Sequence, residues 1–159
     1  MKCLVFSDAH GDTSRMASAI ALHPDASVVF FLGDGLWQAK PFFESYPELA
    51  RIIVSGNCDV SFSLPDDEEA LVDLGGVRVL AFHGHRYGVK YGVSAAALEA
   101  ARRGADVLLF GHTHIPMTDC RPTAEGRPLW IMNPGAIRDG AYGILEITGG
   151  KPLLSLMTL

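Results

Sequence analysis

The feature that most constrains the fold of this chain is a series of eight short apolar runs, most of which end in small or polar residues. Their shortness and their β-branched residues predict β-strands rather than helices. Several runs are almost continuously hydrophobic, which is typical of strands that are covered on both faces. In chain order the runs are 3–6, 28–32, 52–54, 77–82, 107–110, 129–132, 142–147 and 153–159.

Two segments between these runs predict α-helices. Residues 13–22 begin with a Thr-Ser capping signal, and residues 94–103 are rich in alanine with arginine in the last turn. A third, shorter helix is predicted near residues 41–45. Strands therefore alternate with helices or loops in the first two-thirds of the chain, which favours an α/β fold with parallel strand pairs.

The last third of the chain has no predicted helix. Gly75-Gly76 and Gly149-Gly150 each lie between two strand-like runs and predict hairpins. We therefore expect a mixed sheet or two packed sheets, with antiparallel strands at the end. The length of 159 residues predicts a single domain that spans residues 1–159.

Polar residues with metal-binding side chains follow five of the predicted strands directly. Because the carboxyl ends of parallel strands share one edge of a sheet, we expect these side chains to meet in one region. Five of the six histidines follow these strands, and the remaining one, His23, lies at a helix end before a proline and is interpreted as a cap. The residues expected at the shared edge are Asp8, His10, Asp34, Asn57, His83, His112 and His114.

Any one of these residues alone is most simply a turn former, a helix cap or a satisfied polar side chain. Their coincidence at five strand ends instead indicates a metal centre. Seven ligands suit two ions, and Asp34, which has a glycine on either side, is the best placed carboxylate to be shared. The ligand types suit Mn²⁺, Fe²⁺, Co²⁺, Ni²⁺ or Zn²⁺. Such a centre has a positive local charge and favours hydrolysis of an anionic phosphoester.

The ordered motifs D-x-H, GD, GN-x-D, HGH and GHTH, followed by Asn-Pro-Gly, extend from Asp8 to Gly135. Together they resemble the calcineurin-like metallophosphoesterase superfamily, and most closely its small bacterial and archaeal phosphodiesterases. The resemblance implies a two-sheet β-sandwich flanked by helices, with a dimetal centre at its edge. It also implies attack on a phosphodiester by a metal-bridging hydroxide, with Mn²⁺ as the expected metal.

The same resemblance assigns a role to each ligand. Asp8, His10 and His114 would hold one ion, and Asn57, His83 and His112 would hold the other. Asp34 would bridge the two ions. Three further motif residues, Cys58, Asp59 and His85, are candidate catalytic residues.

Cys58 departs from the family pattern, because many relatives have histidine at this position. That histidine is thought to assist the leaving group or to contact the phosphate. A thiol differs in pKa, geometry and hydrogen-bond strength, which favours a diester with a good leaving group over a phosphomonoester. We therefore interpret Cys58 as a residue that tunes the substrate class, rather than as a metal ligand or a nucleophile.

Composition limits the partners of the chain. The net charge of −5 argues against a broad nucleic-acid surface, and hence against a nuclease. An odd number of cysteines, three, fits a reducing cytoplasm, and no apolar run is long enough to span a bilayer.

We expect a small phosphoester substrate and allow a homodimer. The main alternative is a protein-binding scaffold similar to the retromer subunit of eukaryotes.

Overall fold

The computed structural model describes residues 1–59 and 68–159, which contain three α-helices and ten strands. The helices are α1 (Ser14–Leu22), α2 (Leu36–Glu44) and α3 (Ser94–Arg102). The strands are β1 (Lys2–Phe6), β2 (Val28–Phe31), β3 (Ala50–Ile53), β4 (Glu69–Leu74), β5 (Val77–Phe82), β6 (Val107–Phe110), β7 (Met117–Pro122), β8 (Pro128–Asn133), β9 (Ala141–Thr148) and β10 (Lys151–Thr158).

The strands form two five-stranded sheets. The first sheet has the order β10-β9-β1-β2-β3, and the second has the order β4-β5-β6-β8-β7. In the first sheet β1, β2 and β3 are parallel, and in the second β5, β6 and β8 are parallel. The remaining pairs, which involve β4, β7, β9 and β10, are antiparallel. Each sheet is therefore mixed, and its parallel strands end at one edge.

Three hydrophobic clusters separate the layers of the fold. The middle cluster contains inward-facing residues of both sheets, such as Val5, Phe30 and Leu109. An outer cluster joins the first sheet to α1 and α2, and another joins the second sheet to α3. This arrangement of helices, sheet, sheet and helix confirms the predicted two-sheet sandwich flanked by helices.

Both predicted glycine hairpins are present. Gly75 and Gly76 connect β4 to β5, where Leu74 pairs with Val77. Gly149 and Gly150 connect β9 to β10. In both turns the two glycines have positive φ, which a two-residue turn between antiparallel strands favours.

Three local expectations differ from the structure. Strand β7 was not predicted, because its side chains alternate between half-buried and exposed and include Asp119 and Arg121. Helix α2 starts at Leu36, well before residue 41, and contains Pro41 internally. At the start of α1, Thr13 makes no side-chain cap, and the carboxylate of Asp12 instead accepts the N–H of Ser14 at 2.9 Å.

His23 occupies the C-cap position of α1, as predicted, and its ring also contacts the hydroxyl of Tyr142 at 2.9 Å. Among the helices of the described residues, none has the length and apolar character needed to cross a membrane.

Candidate metal centre

The loops that follow the parallel strands of both sheets carry the predicted ligands. Five of these residues have a positive φ between 46° and 69°, in the left-handed region that side-chain-bearing residues seldom adopt. Strained backbone of this kind persists only where the surrounding structure enforces it, and it clusters at functional sites. The five residues are Asp8, His10, Asp34, His112 and His114.

Backbone hydrogen bonds join the loops after β1 and β2. The N–H of Asp8 donates to the carbonyl oxygen of Gly33 at 2.9 Å, and the N–H of His10 donates to that of Asp34 at 3.0 Å. These bonds continue the parallel pairing beyond the strands. They fix Asp8, His10 and Asp34 relative to one another.

The first ligand group consists of Asp8, His10 and His114, whose ligand atoms all lie within 4.8 Å of one another. Oδ1 of Asp8 lies 3.1 Å from Nε2 of His114 and 3.9 Å from Nε2 of His10. Asp8 is fully buried, and Oδ1 accepts no hydrogen bond from the described part of the chain. Burying a carboxylate oxygen without a partner is costly, and a cation between these three side chains would remove that cost.

The second ligand group consists of Asp34, His83 and His112, again with ligand atoms within 4.8 Å. Nδ1 of His83 lies 2.7 Å from the carbonyl oxygen of Leu32, which can only accept, so Nδ1 carries the proton. This bond directs Nε2 of His83 toward Oδ2 of Asp34 at 3.4 Å and Nδ1 of His112 at 3.1 Å. A histidine held by a backbone carbonyl in this way is typical of metal sites.

In the second group, the protonation states of Asp34 and His112 suit a metal. Burial alone would raise the pKa of Asp34, but hydrogen bonds from His83 and Cys58 hold it well below its ordinary value. Burial and the nearby His83 lower the pKa of His112 to about 4. Near neutral pH the carboxylate is therefore ionised and the His112 ring is neutral, which are the forms that bind metals. Burial alone would lower the pKa of His83, but its hydrogen bond with Asp34 and the charge of that carboxylate raise it, so a metal ion at Nε2 would displace a proton.

A third group, His10, Asp34 and Cys58, overlaps both of the others. Asp34 thus belongs to two groups, and it is only 2% exposed. This overlap is what a shared carboxylate requires. It also places the Cys58 sulfur within reach of the candidate ligands, which the sequence did not suggest.

Asn57 and Cys58 lie in the exposed loop after β3. The Asn57 amide nitrogen contacts the sulfur of Cys58 at 3.3 Å, and the backbone N–H of Cys58 donates to Oδ1 of Asp34 at 2.8 Å. The loop therefore contacts the Asp34 carboxylate directly. Six of the seven predicted ligands fall into the first two groups, and Asn57 is the sequence neighbour of Cys58, which belongs to the third group.

His85 lies next to the second group, with ring centroids 5.6 Å from His83 and 6.1 Å from His112. Its Nδ1 is buried and makes no hydrogen bond with the described residues. Burial and the charges of His83 and Arg86 lower the pKa of His85, so the ring is neutral near pH 7. The carboxylate of Asp59, in contrast, contacts backbone N–H groups of the loops around Asp34.

Two residues outside the predicted set also support the site. The amide of Asn133, from the Asn-Pro-Gly motif, donates to the carbonyl oxygen of Gly111 and to the hydroxyl of Thr113, both at 2.9 Å. It thereby holds the loop that carries His112 and His114. Arg138 places a guanidinium nitrogen 3.3 Å from Nδ1 of His114. Only its position shortly after Asn-Pro-Gly could have drawn attention to it.

The donor set fits divalent metal ions. It combines neutral imidazoles with ionised carboxylates in two groups, and one buried carboxylate oxygen lacks a hydrogen bond among the described residues. Borderline divalent ions prefer such mixed nitrogen and oxygen ligands. The residues at this edge of the two sheets can therefore hold divalent metal ions.

Comparison with known proteins gives a consistent family. The chain is 31% identical over 140 residues to the probable metallophosphoesterase YsnB of Bacillus subtilis. The alignment covers 87% of this chain and 76% of YsnB. Its fold matches a conserved uncharacterized protein of Streptococcus pneumoniae, a predicted phosphoesterase, with a TM-score of 0.80 and 23% identity over 99% of this chain and 88% of that one.

Two further structures share the fold at lower identity. Zinc-complexed Vps29 of Entamoeba histolytica has a TM-score of 0.71 and 21% identity, over 99% of each chain. An archaeal phosphodiesterase has a TM-score of 0.68 and 22% identity, over 99% of this chain and all of that one. The model of the calcineurin-like phosphoesterase superfamily domain matches residues 1–149. With this match over most of its length, the chain belongs to the calcineurin-like phosphoesterase superfamily.

Proposed function

We propose that this protein is a two-metal phosphodiesterase that hydrolyses small phosphodiesters. The observation that carries the proposal is that the third group shares His10 with the first group and Asp34 with the second, which supports two adjacent positions for cations. A pair of divalent ions lowers the pKa of water and stabilises the negative charge that develops during phosphoryl transfer. Superfamily membership supports the general class of phosphoester hydrolysis.

Each ligand has a distinct role in this proposal. Asp8, His10 and His114 hold one ion, and Asn57, His83 and His112 hold the other, with Asp34 shared. The carbonyl oxygen of Leu32 keeps a proton of His83 on Nδ1, so that Nε2 is the ring nitrogen that would bind the metal. We propose Mn²⁺ as the metal, and the same ligands suit Ni²⁺, Fe²⁺, Co²⁺ or Zn²⁺.

Residues at the rim of the site would recognise the substrate. Arg138 is near His114, and its side chain is 43% exposed, so its guanidinium group is accessible to a phosphate oxygen. The neutral ring of His85 lies on the side of the second group. A small anionic ester bound between these two residues would have its phosphorus close to both metal positions.

The preference for diesters rests on Cys58. A thiol is a weaker hydrogen-bond donor than a protonated imidazole, so it gives little help to a poor leaving group. An aryl phosphodiester, whose leaving group departs without a proton, has less need of that help. The archaeal phosphodiesterase of the same fold is in keeping with this substrate class.

Metal reconstitution tests the proposal. The purified protein is stripped with a chelator and titrated with Mn²⁺ or Ni²⁺, and its activity is measured on a panel of aryl phosphodiesters and cyclic nucleotides. We expect two equivalents of metal to bind and diester hydrolysis to depend on them. Binding of two ions without hydrolysis of any diester would refute the phosphodiesterase, and absence of metal binding would refute the dimetal centre.

Replacing Cys58 with histidine is expected to raise the hydrolysis of aryl phosphomonoesters by about 100-fold, the lower end of what a general acid contributes. The new imidazole would be close to His10 and Asp34, because Sγ of Cys58 already is. The measurement is the ratio of kcat/KM for p-nitrophenyl phosphate to that for bis-p-nitrophenyl phosphate.

Cys120→His provides the matched control. Cys120 is also exposed but lies on β7, and its replacement should leave the ratio unchanged. If Cys58→His also leaves the ratio unchanged, the thiol does not influence the substrate class.

A protein-binding scaffold is less well supported than an enzyme. The likeness to Vps29 concerns the fold, and this chain retains two complete ligand groups of aspartate and histidine. Isolation of the protein without metal but in a stable complex with another protein would favour the scaffold.

A further inference from the structure

Asp59 makes an unusual set of contacts beside the metal centre. Its carboxylate accepts four backbone N–H groups, although it carries no ligand atom of either metal group. The donors are Asp34 at 2.6 Å, Gly35 at 2.8 Å, Leu36 at 2.9 Å and Gly56 at 2.8 Å. Three of the four donors are consecutive, from the bend after β2 to Leu36, the first residue of α2.

This bend is strained. Asp34 has a φ of 60° and Gly35 a φ of 133°, and Gly35 is the N-cap of α2 without any side chain to satisfy the first N–H groups of the helix. The carboxylate of Asp59 replaces the missing cap from another loop. Hydrogen bonds to an ionised acceptor are stronger than neutral ones, and the helix N-terminus favours a negative charge.

The loop that carries Asp59 also contacts the side chain of Asp34. The N–H of Cys58 donates to Oδ1 of Asp34, while Oδ2 of Asp59 accepts the N–H of Asp34. Residues 58 and 59 thus hold the backbone and the carboxylate of Asp34 together. The orientation of Asp34 toward His83 depends on both contacts.

We infer that Asp59 is a positioning residue, which holds Asp34 in the strained conformation that directs its carboxylate to the metals. Both oxygens of Asp59 already accept two N–H groups each, so the carboxylate is not available to a substrate. This role rests on the proposed two-metal function. It replaces the catalytic role that the GN-x-D motif led us to expect for Asp59.

Asp59→Asn provides the test. The amide has nearly the same shape, but it is neutral and offers one acceptor oxygen in place of two. We expect about 10- to 100-fold weaker binding of Mn²⁺, as for the loss of other residues that orient metal ligands. Calorimetric titration of the metal-stripped protein measures the affinity and stoichiometry, independently of any activity.

Asp106→Asn is the matched control. The Asp106 carboxylate also accepts a backbone N–H, that of Arg78 at 2.9 Å, and it pairs with Arg127, but it precedes β6 and so lies at the opposite end of that strand from His112. We expect this variant to bind Mn²⁺ like the wild type. Thermal unfolding of the metal-free proteins shows whether the two substitutions destabilise the fold to a similar extent.

Normal Mn²⁺ affinity in Asp59→Asn would overturn the inference. Asp59→Asn that is less stable but binds Mn²⁺ normally would make the residue merely structural, and one that binds Mn²⁺ normally but loses activity would make it catalytic. In both cases the two-metal function would stand. If the wild type binds no metal, the inference and the proposed function fail together.

Asp59→Glu keeps the test decisive if the asparagine variant does not fold. The longer side chain retains the charge but displaces the carboxylate, so it cannot reach all four N–H groups in their present places. We expect Mn²⁺ affinity to fall in this variant also, and wild-type affinity in Asp59→Glu would overturn the inference.

Discussion

Asp34→Asn is expected to reduce the hydrolysis of an aryl phosphodiester by about 1000-fold, which corresponds to about 4 kcal/mol of transition-state stabilisation. Oδ1 of Asp34 accepts the N–H of Cys58, and Oδ2 faces Nε2 of His83. An asparagine can present its oxygen in only one of these directions, and it brings no negative charge to a shared position. The measurements are kcat/KM and the number of Mn²⁺ ions bound per chain.

The matched control is Asp73→Asn, which removes the same charge near the end of β4, beside the turn to β5. Asp73 accepts the N–H of Gly76 at 2.9 Å, and that turn lies at the other end of β5 from His83. We expect its activity and metal content to equal those of the wild type. Full activity in Asp34→Asn would instead show that this carboxylate does not bridge two ions.

The sequence predicted the strands well where both faces are buried, because such strands consist of consecutive apolar residues. All four residues of β2 and of β6 are buried, and the runs 28–32 and 107–110 identified them. Strand β7 has no consecutive apolar run, because it lies at the edge of the second sheet and exposes every other residue. Strand β7 forms by pairing with β8, and the residues of β7 alone do not reveal that pairing.

The start of α2 could not be predicted from the residues around it either. The sequence predicted only a short helix near residues 41–45. The helix begins at Leu36 instead, since the first N–H groups find an acceptor in Asp59, which is 23 residues away. A cap supplied by another loop leaves no signal near the residues that it caps.

The identities of the candidate ligands were predictable, but their conformations were not. The positions after five strands identified which side chains could meet, and the sheet topology brings six of them into two groups. The left-handed backbone of five ligands could not be predicted from the sequence, because aspartate and histidine adopt it more often than most residues but still in a small minority of positions. The backbone hydrogen bonds between the loops after β1 and β2 hold three of these ligands in that conformation, and these bonds exist only in the folded chain.

Gly56→Ala is expected to reduce phosphodiester hydrolysis by about 100-fold, as a misplacement of about 1 Å in a catalytic group does. A Cβ atom on Gly56 would lie 2.6 Å from the backbone nitrogen of Asp34 and even closer to Oδ1 of its carboxylate. Neither atom can move without breaking a hydrogen bond to Asp59 or Cys58. Mn²⁺ affinity should fall in parallel with activity, and the free energy of unfolding by about 1–3 kcal/mol, as for other overpacked sites.

Gly76→Ala separates the loss of stability from the loss of the site. A Cβ atom on Gly76 would meet no atom within 4 Å, but its φ of 85° makes alanine unfavourable, so this variant should also be less stable. Its activity and Mn²⁺ affinity should nevertheless be those of the wild type at temperatures where it is folded. If Gly56→Ala binds Mn²⁺ as well as Gly76→Ala does, the close packing of the loop after β3 against Asp34 does not determine metal binding. Weaker binding in Gly56→Ala alone would show that a single methyl group at this contact displaces the shared carboxylate.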